Sequence, residues 1–535
     1  MSESSAPTVS AQAGTSEQHS VVKAAGLIGL GTFASRILGF IRDMVLARLF
    51  GATAAADAFY VAFRIPSLLR ELFAEGSMSS AFIPVLTQVR TRDGEEAASR
   101  LVRATFTFLL FAVGAICLLG ALFAPQIVTL IAPGFLADPE KFSLTVLLTR
   151  IMFPFLLFIS LAALVMGALN TRRVFFVPAL APAVLNVVTI AAVLGLVGVM
   201  RPPIAAVAVG VALGGFAQFA FQVPVFRRQG YRLAPSFDFR NPALKRMALL
   251  VLPATLGMAT AQVNIFVSNI LASYLPQGSI TCLYYSMRLV QFPVGIFGVA
   301  MGMAVLPALS EHAARGETDR LREDFSYALR LLFFITVPAM AGLIALRGPI
   351  VNLLFLRGRF DAAAASGTAQ ALLCYALGIW AIVGVRIVTA TFYSLQDTRT
   401  PVKIGMATVL VNLGLSLALM GPLAHAGLAL ANACASMVNF AALFLLLRRR
   451  LGRLETARIA RALLRAVAAA TLMGLAGWVL LRGPLWEAGG HTALKAGLFA
   501  AVAALSLGVY LVTSRLFGSE ELGVVFALAR RRVGR

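Results

Sequence analysis

Residues 21–50, VVKAAGLIGLGTFASRILGFIRDMVLARLF, and residues 55–86, AADAFYVAFRIPSLLRELFAEGSMSSAFIPVL, decide how this chain is read. Each stretch is long and apolar enough to cross a bilayer, for which a helix needs about 20 residues. Together they nevertheless carry Arg36, Arg42, Asp43, Arg48, Asp57, Arg64, Arg70, Glu71 and Glu75. A charge at the bilayer centre costs roughly 2.5–3.5 kcal/mol on insertion scales. Such a concentration is tolerated where the charges face a watery cavity or one another. The surplus is positive, so a cavity lined by these side chains suits an anion.

The whole chain supports a membrane reading. Of 535 residues, 59% are hydrophobic and only 13% charged, against about 25% charged in a soluble domain. Mean hydropathy is +0.86. Apolar runs of helical length recur from residue 22 to residue 516, whereas barrel strands would be about 10 residues long with alternating polarity. The net charge of +23 sits in short loops, as the positive-inside rule requires. No basic domain stands outside the membrane, so nucleic acid is not an expected partner. The four cysteines, Cys117, Cys282, Cys374 and Cys434, form no CxxC pair and read as small core residues.

About fourteen spans follow from the 20-residue rule. The fold class is therefore an all-α polytopic membrane protein. Arginine and lysine in alternate loops place both termini in the cytoplasm. Segment 309–325 is too polar to span and is expected at the cytoplasmic face. Residues 1–21 read as a disordered cytoplasmic tail and 517–535 as a basic cytoplasmic tail.

A weak internal repeat organises the rest. Tyr60 to Arg64 resembles Tyr284 to Arg288, and Ala81 to Pro84 resembles Ala304 to Pro307. Asn170 to Arg172 resembles Asp397 to Arg399, and Leu185-Asn186 resembles Val411-Asn412, all at nearly constant separation. Each copy holds an even number of spans, so both enter the membrane in the same orientation. Parallel repeats of this kind are a transporter arrangement, with substrate handled between the halves. The expected division is a six-helix lobe over 22–228, a second over 244–450, and two extra helices over 451–516 outside the repeat. The extra helices are rich in small residues, which favour close packing or a smooth groove for a lipid tail.

Particular charges carry the candidate site. Arg36 and Asp43 are seven apart and share a helix face, while Arg42 points elsewhere. Asp57, Arg64, Glu71 and Glu75 fall near one face of the second span, where Pro66 interrupts the hydrogen-bond ladder. A closed set of salt bridges is the structural alternative, but it would tend towards neutrality, and the arginines are in excess. Arg288 occupies the repeat position of Arg64. It reads as a second-lobe arginine aimed at the substrate, or as one snorkelling to an interface. Arginine's planar fork of donors suits phosphate oxygens. Arg386 pairs within its lobe or joins the site; the residues alone leave this even. No Walker A sequence, no acidic loop cluster and no paired histidines are present, so an enzyme acting on polyprenyl phosphates is disfavoured.

Ser35 to Asp43, Ala47 to Gly51, Asp57 to Pro66 and Leu69 to Gly76 closely resemble the MurJ (MviN) family. So do Tyr284-Tyr285 with Arg288 and Phe292-Pro293, Phe392 to Lys403, and Gly421 to Gly427. The resemblance implies the fold of the multidrug/oligosaccharidyl-lipid/polysaccharide exporter superfamily. It implies flipping of lipid II, the undecaprenyl-diphosphate-linked peptidoglycan precursor, by alternating access in the bacterial cytoplasmic membrane. It carries substrate-binding roles onto Arg36, Arg42, Arg70 and Arg288, with Asp43, Asp57 and Glu75 as acidic partners. Met287 stands where some members carry an acid. The family's coupling-cation site has no clear match, so no cofactor is expected beyond a coupling cation, Na+ or H+, or the membrane potential. A monomer is expected, in contact with lipid II, membrane lipids and cell-wall synthesis proteins. The alternatives are a flippase for another polyprenyl-linked saccharide and a drug/cation antiporter of the same superfamily.

Overall fold

The computed structural model describes residues 10–71, 78–295, 299–487 and 489–523; for 10–28, 78–80, 251–261 and 299–304 it describes the helical backbone alone. Among the described residues the chain is all α, with no strand. The elements are α1 (Ser10–Phe50), α2 (Ala54–Arg70), α3 (Met78–Leu122), α4 (Ala124–Ile131), α5 (Pro139–Thr171) and α6 (Phe176–Leu196). They continue with α7 (Ala205–Arg228), α8 (Pro242–Ser273), α9 (Ser279–Pro293), α10 (Val299–Ala314), α11 (Thr318–Ala345) and α12 (Arg347–Phe355). The last are α13 (Ala362–Ala376), α14 (Ile379–Ser394), α15 (Arg399–Leu451), α16 (Thr456–Leu480) and α17 (Thr492–Leu516). Two of these are helix pairs in one run. Gly94 breaks α3 with φ 85° and ψ 179°, and Ala424 breaks the 53-residue α15 with φ 46° and ψ −128°.

Among the described residues, nine helical stretches are long and apolar enough to cross a membrane. The charge-bearing α1 and α2 and helices α8 to α10 bring the total to a number consistent with about fourteen spans. The elements start and stop where local chemistry directs. Asp138 caps α5 by accepting from the Lys141 amide at 3.1 Å, and Asp361 caps α13 by accepting from the Ala364 amide at 2.8 Å. Buried hydroxyls inside the apolar helices bond back to their own helix: Thr105 to the Leu101 carbonyl, Thr149 to Thr145, Ser160 to Leu156 and Thr391 to Ile387. A hydroxyl satisfied in this way can be buried without the cost of a lost hydrogen bond.

Contacts divide the chain into two compact units. One comprises the chain to Val45, Val61–Leu130 and Asp138–Ala259. Its core gathers Phe82, Leu86, Leu101, Leu164, Leu169 and Phe226, all fully buried, where α3, α5 and α7 pack. The other comprises Leu46–Tyr60, Ile131–Ala137 and the chain from Thr260. Within it α11 packs on α16, α16 on α17, and α14 on α15.

One expectation meets a different outcome. Helix α1 begins at Ser10, inside the stretch expected to be a disordered tail; Ala11, Gln12, Ala13, Glu17 and Gln18 are good helix formers and extend the span upstream. Pro66 lies inside α2, which runs on to Arg70. The polar segment 309–325 is the end of α10 and the start of α11, joined through Arg315–Glu317.

Candidate functional site

Within the first unit, α1 presents Arg36 exposed and Arg42 half-buried. Arg42 does not point away from Asp43. Its Nε and Nη2 both donate to Asp43 Oδ1, at 3.1 and 2.8 Å. Asp43 is wholly buried and the Arg42 side chain is 11% exposed. A buried carboxylate needs such a partner, and removing one member of a buried pair is costly. On α2, Arg64, Arg70 and the adjoining Glu71 are half-buried. Glu75 lies outside the described residues.

Within the second unit, the first half of α2 is clasped to the start of α9. The Asp57 carboxylate, 1% exposed, accepts from the Gly278 amide at 2.7 Å, the Thr281 amide at 2.9 Å and the Thr281 hydroxyl at 2.8 Å. Asp57 thus caps a helix remote in sequence. Its negative charge faces the positive end of α9. Gly278 must be glycine: its φ is 87°, and a Cβ there would lie 2.7 Å from the Ala52 carbonyl oxygen. Gly51 is similarly constrained, since its Cβ would meet the Arg359 carbonyl oxygen at 2.2 Å, beside the Arg359 amide that donates to the Arg48 carbonyl at 2.9 Å.

Aromatic side chains extend the clasp. The Tyr60 and Tyr285 hydroxyls share a 2.7 Å hydrogen bond. Tyr60 stacks on Tyr284 at 4.0 Å between centroids, and Tyr285 packs at 4.7 Å on Phe355. The sequence marked these tyrosines only as repeat landmarks; their aromatic pairing was the available signal. Helix α9, fixed at this end, carries Arg288 half-buried further along. Arg386 on α14 is exposed.

Repeat-related asparagines make repeat-related contacts. In the first unit Asn186 of α6 donates to the Ser35 carbonyl of α1 at 3.3 Å. In the second, Asn412 of α15 donates to Asn264 of α8 at 2.7 Å. Each ties the fifth helix of its repeat to the first. This is the interhelical hydrogen-bonding role expected of intramembrane asparagine.

The extra helices are held by a buried cation that sequence reading missed. Lys495, 1% exposed, donates to Asn352 Oδ1 at 2.8 Å, and Asn352 Nδ2 donates to the Trp486 carbonyl at 2.6 Å. Its neighbours in sequence are apolar, and nothing in its own helix marks it as buried. Gly474 and Gly477 are buried, packed towards Ala341, Ala345, Leu346 and Ser506. Small residues serve close packing at these two positions. The apolar faces left open on α16 and α17 belong to Leu475, Val479, Leu505 and Leu507.

Charge outside the membrane is paired locally. Asp397 bonds the Thr400 amide and hydroxyl at 3.0 and 2.8 Å and Arg450 at 2.7 Å. The Thr400 amide, then its hydroxyl and Arg450, hold the Asp397 carboxyl below the usual carboxylate range. His312 lies 2.8 Å from Glu317 and 3.3 Å from Asp324, and its hydrogen bond pulls the Glu317 carboxyl down. Among the described residues, no group of three or more His, Cys, Asp or Glu side chains is arranged to hold a metal ion.

Comparison with known proteins places this geometry. The family described as lipid II flippase MurJ matches residues 46–494. A lipid II flippase MurJ of Burkholderia cenocepacia is 37% identical over 423 residues, covering 78% of this chain and 82% of the relative. A probable lipid II flippase MurJ of Rhizobium tropici is 32% identical over 520 residues, covering 96% and 97%. Among solved structures, a lipid II flippase MurJ in an inward closed conformation superposes with TM-score 0.75 at 25% identity, covering 92% of this chain and 98% of that one. An inward-facing multidrug transporter of the MATE family shares the fold, with TM-score 0.64 at 15% identity, covering 79% and 96%.

Proposed function

Because the chain belongs to the lipid II flippase MurJ family, we propose that it moves lipid II across the bacterial cytoplasmic membrane by alternating access. The family is one of transporters, so no bond of the substrate is made or broken. The observation that carries the reading is the family match over most of the chain, together with half-buried arginines in apolar helices. Arg36, Arg42, Arg64 and Arg70 of α1 and α2 and Arg288 of α9 are assigned to the diphosphate and sugar head group. Guanidinium forks bind phosphate oxygens in pairs, and binding strengthens where water is excluded. The polyprenyl tail is assigned to the open apolar faces of α16 and α17. The basic loops put both termini in the cytoplasm. Energy is supplied by a Na+ or H+ gradient or by the membrane potential, and the working unit is a monomer that hands substrate to cell-wall synthesis proteins.

Translocation of lipid II in proteoliposomes tests this. Arg70→Ala and Arg288→Ala should abolish flipping while the protein still purifies as a folded monomer. Lysine at either position should restore little, because the fork is lost. Arg42→Ala is a less clean probe, since it also strips a partner from buried Asp43. Normal flipping by the Arg70 and Arg288 variants would overturn the arginine assignment. Faster movement of a different polyprenyl-linked saccharide would overturn the substrate.

A further inference from the structure

The first unit also holds a cavity whose lining includes none of the charged residues of α1 and α2. The chain from α7 to α8 runs through Arg227, Arg228, Arg232, Arg240, Lys245 and Arg246, with Asp238 the one acid of that segment. This charge density at two helix ends marks a membrane–water boundary. The linker does not hang free. The Ser236 amide donates to the Thr107 hydroxyl of α3 at 2.8 Å, Phe237 packs on Phe111 at 5.9 Å between centroids, and Tyr231 stacks on Phe226 at 5.1 Å.

Pinned this way, the linker and the start of α8 wall an open cavity of about 780 Å³ against α3, within the roughly 300–1,000 Å³ range of small-molecule sites. Phe108, Phe111, Ala112 and Phe239 line it, with Arg240 and Lys245. Phe237, 66% exposed, and Phe111, 57% exposed, stand beside it as aromatic anchors of the kind that sit at headgroup level. The cations divide their tasks. Arg246 donates to Gln88 at 3.0 Å, and Asp238 accepts from Asn241 at 3.4 Å. Arg240 and Lys245 are exposed and, among the described residues, have no ion-pair partner.

We propose that the cavity walled by α3, the Tyr231–Asn241 linker and the start of α8 binds one anionic phospholipid, its acyl chain against Phe108, Phe111 and Ala112 and its phosphate on Arg240 and Lys245. A neutral lipid would fill the apolar wall equally well but leave both cations facing no anion. A soluble phosphate would satisfy the cations and leave the apolar wall unused. The combination selects an amphiphile with a negative head. The site uses none of the residues assigned to lipid II.

Native mass spectrometry of the full chain in neutral detergent, titrated with phosphatidylglycerol or phosphatidylcholine, tests the site. The wild type should retain phosphatidylglycerol preferentially. The double variant Arg240→Gln/Lys245→Gln should lose that preference roughly tenfold, since each juxtamembrane cation contributes measurably to anionic-lipid binding. Both side chains are exposed, so the core is left intact. Ala112→Trp fills the cavity without altering charge and should weaken retention of both lipids. A phosphatidylglycerol with a photoreactive acyl chain should label α3 around Ala112, and glycerol phosphate should not displace it. Wild-type lipid preference in the double variant, labelling elsewhere only, or displacement by glycerol phosphate would each overturn the proposal.

Discussion

Replacing Asp57 should loosen α9 in a measurable and local way. The carboxylate is 1% exposed and accepts three hydrogen bonds, of 2.7, 2.9 and 2.8 Å. Losing a helix cap costs about 0.5–2 kcal/mol, and each buried donor left without an acceptor adds about 1–3 kcal/mol. The Thr281 hydroxyl can turn to another acceptor, but the Gly278 and Thr281 amides cannot. The cap loss and the two stranded amides overlap, so counting the amides alone, Asp57→Ala should cost about 2–6 kcal/mol. Asp57→Asn keeps the oxygen that serves Thr281, loses the bond to Gly278 and forfeits the charge–dipole attraction, for about 1–3 kcal/mol. Melting in detergent should rank wild type above Asn above Ala. Cys282, one residue beyond Thr281 and 5% exposed, supplies the local readout. A membrane-permeant maleimide should label it faster in the Ala variant, while Cys117, buried in the other unit, should label at the wild-type rate. Unchanged Cys282 labelling, or an Ala variant as stable as the Asn variant, would refute the capping role.

Further outcomes follow from the other contacts. Asn352→Ala removes an acceptor from the buried Lys495 ammonium and should cost about 1.5–3 kcal/mol, more than Lys495→Met, which removes the charge itself; paired thermal melts check the order. The Asp397 carboxyl is held below its ordinary pKa, so its contribution is complete above the unfolded-state value and is lost as pH falls through the folded one. The protection factor of the Thr400 amide, taken against the intrinsic exchange rate at each pH, should therefore fall on acidification, and Asp397→Asn should remove that fall. Gly477→Trp must displace Leu346 and Ser506, since even a Cβ would lie 3.1 and 2.9 Å from their side chains. It should lower the melting temperature, whereas Leu505→Trp on the exposed face of α17 should leave melting unchanged.

The sequence by itself determined the class of molecule. Apolar runs of spanning length, scarce charge and the loop arginines suffice for an all-α membrane protein, because the bilayer admits few other solutions. It also determined the parallel repeat, and the family through the motifs of α1 and α2. Tertiary structure alone decided what individual charges do. Arg42 and Asp43 looked like residues on different helix faces, yet the long arginine side chain curls back to its neighbour, and rotamer choice is invisible to helical periodicity. That Asp57 caps α9 was not readable from its own helix, because the amides it meets lie more than two hundred residues away in sequence. The burial of Lys495 was likewise decided by what Asn352 and Trp486 bring from other elements. The cavity beside Ala112 needed the Ser236–Thr107 bond that lays a polar linker along an apolar helix. Periodicity and composition report a residue's own helix, and these roles were set by the partner helix.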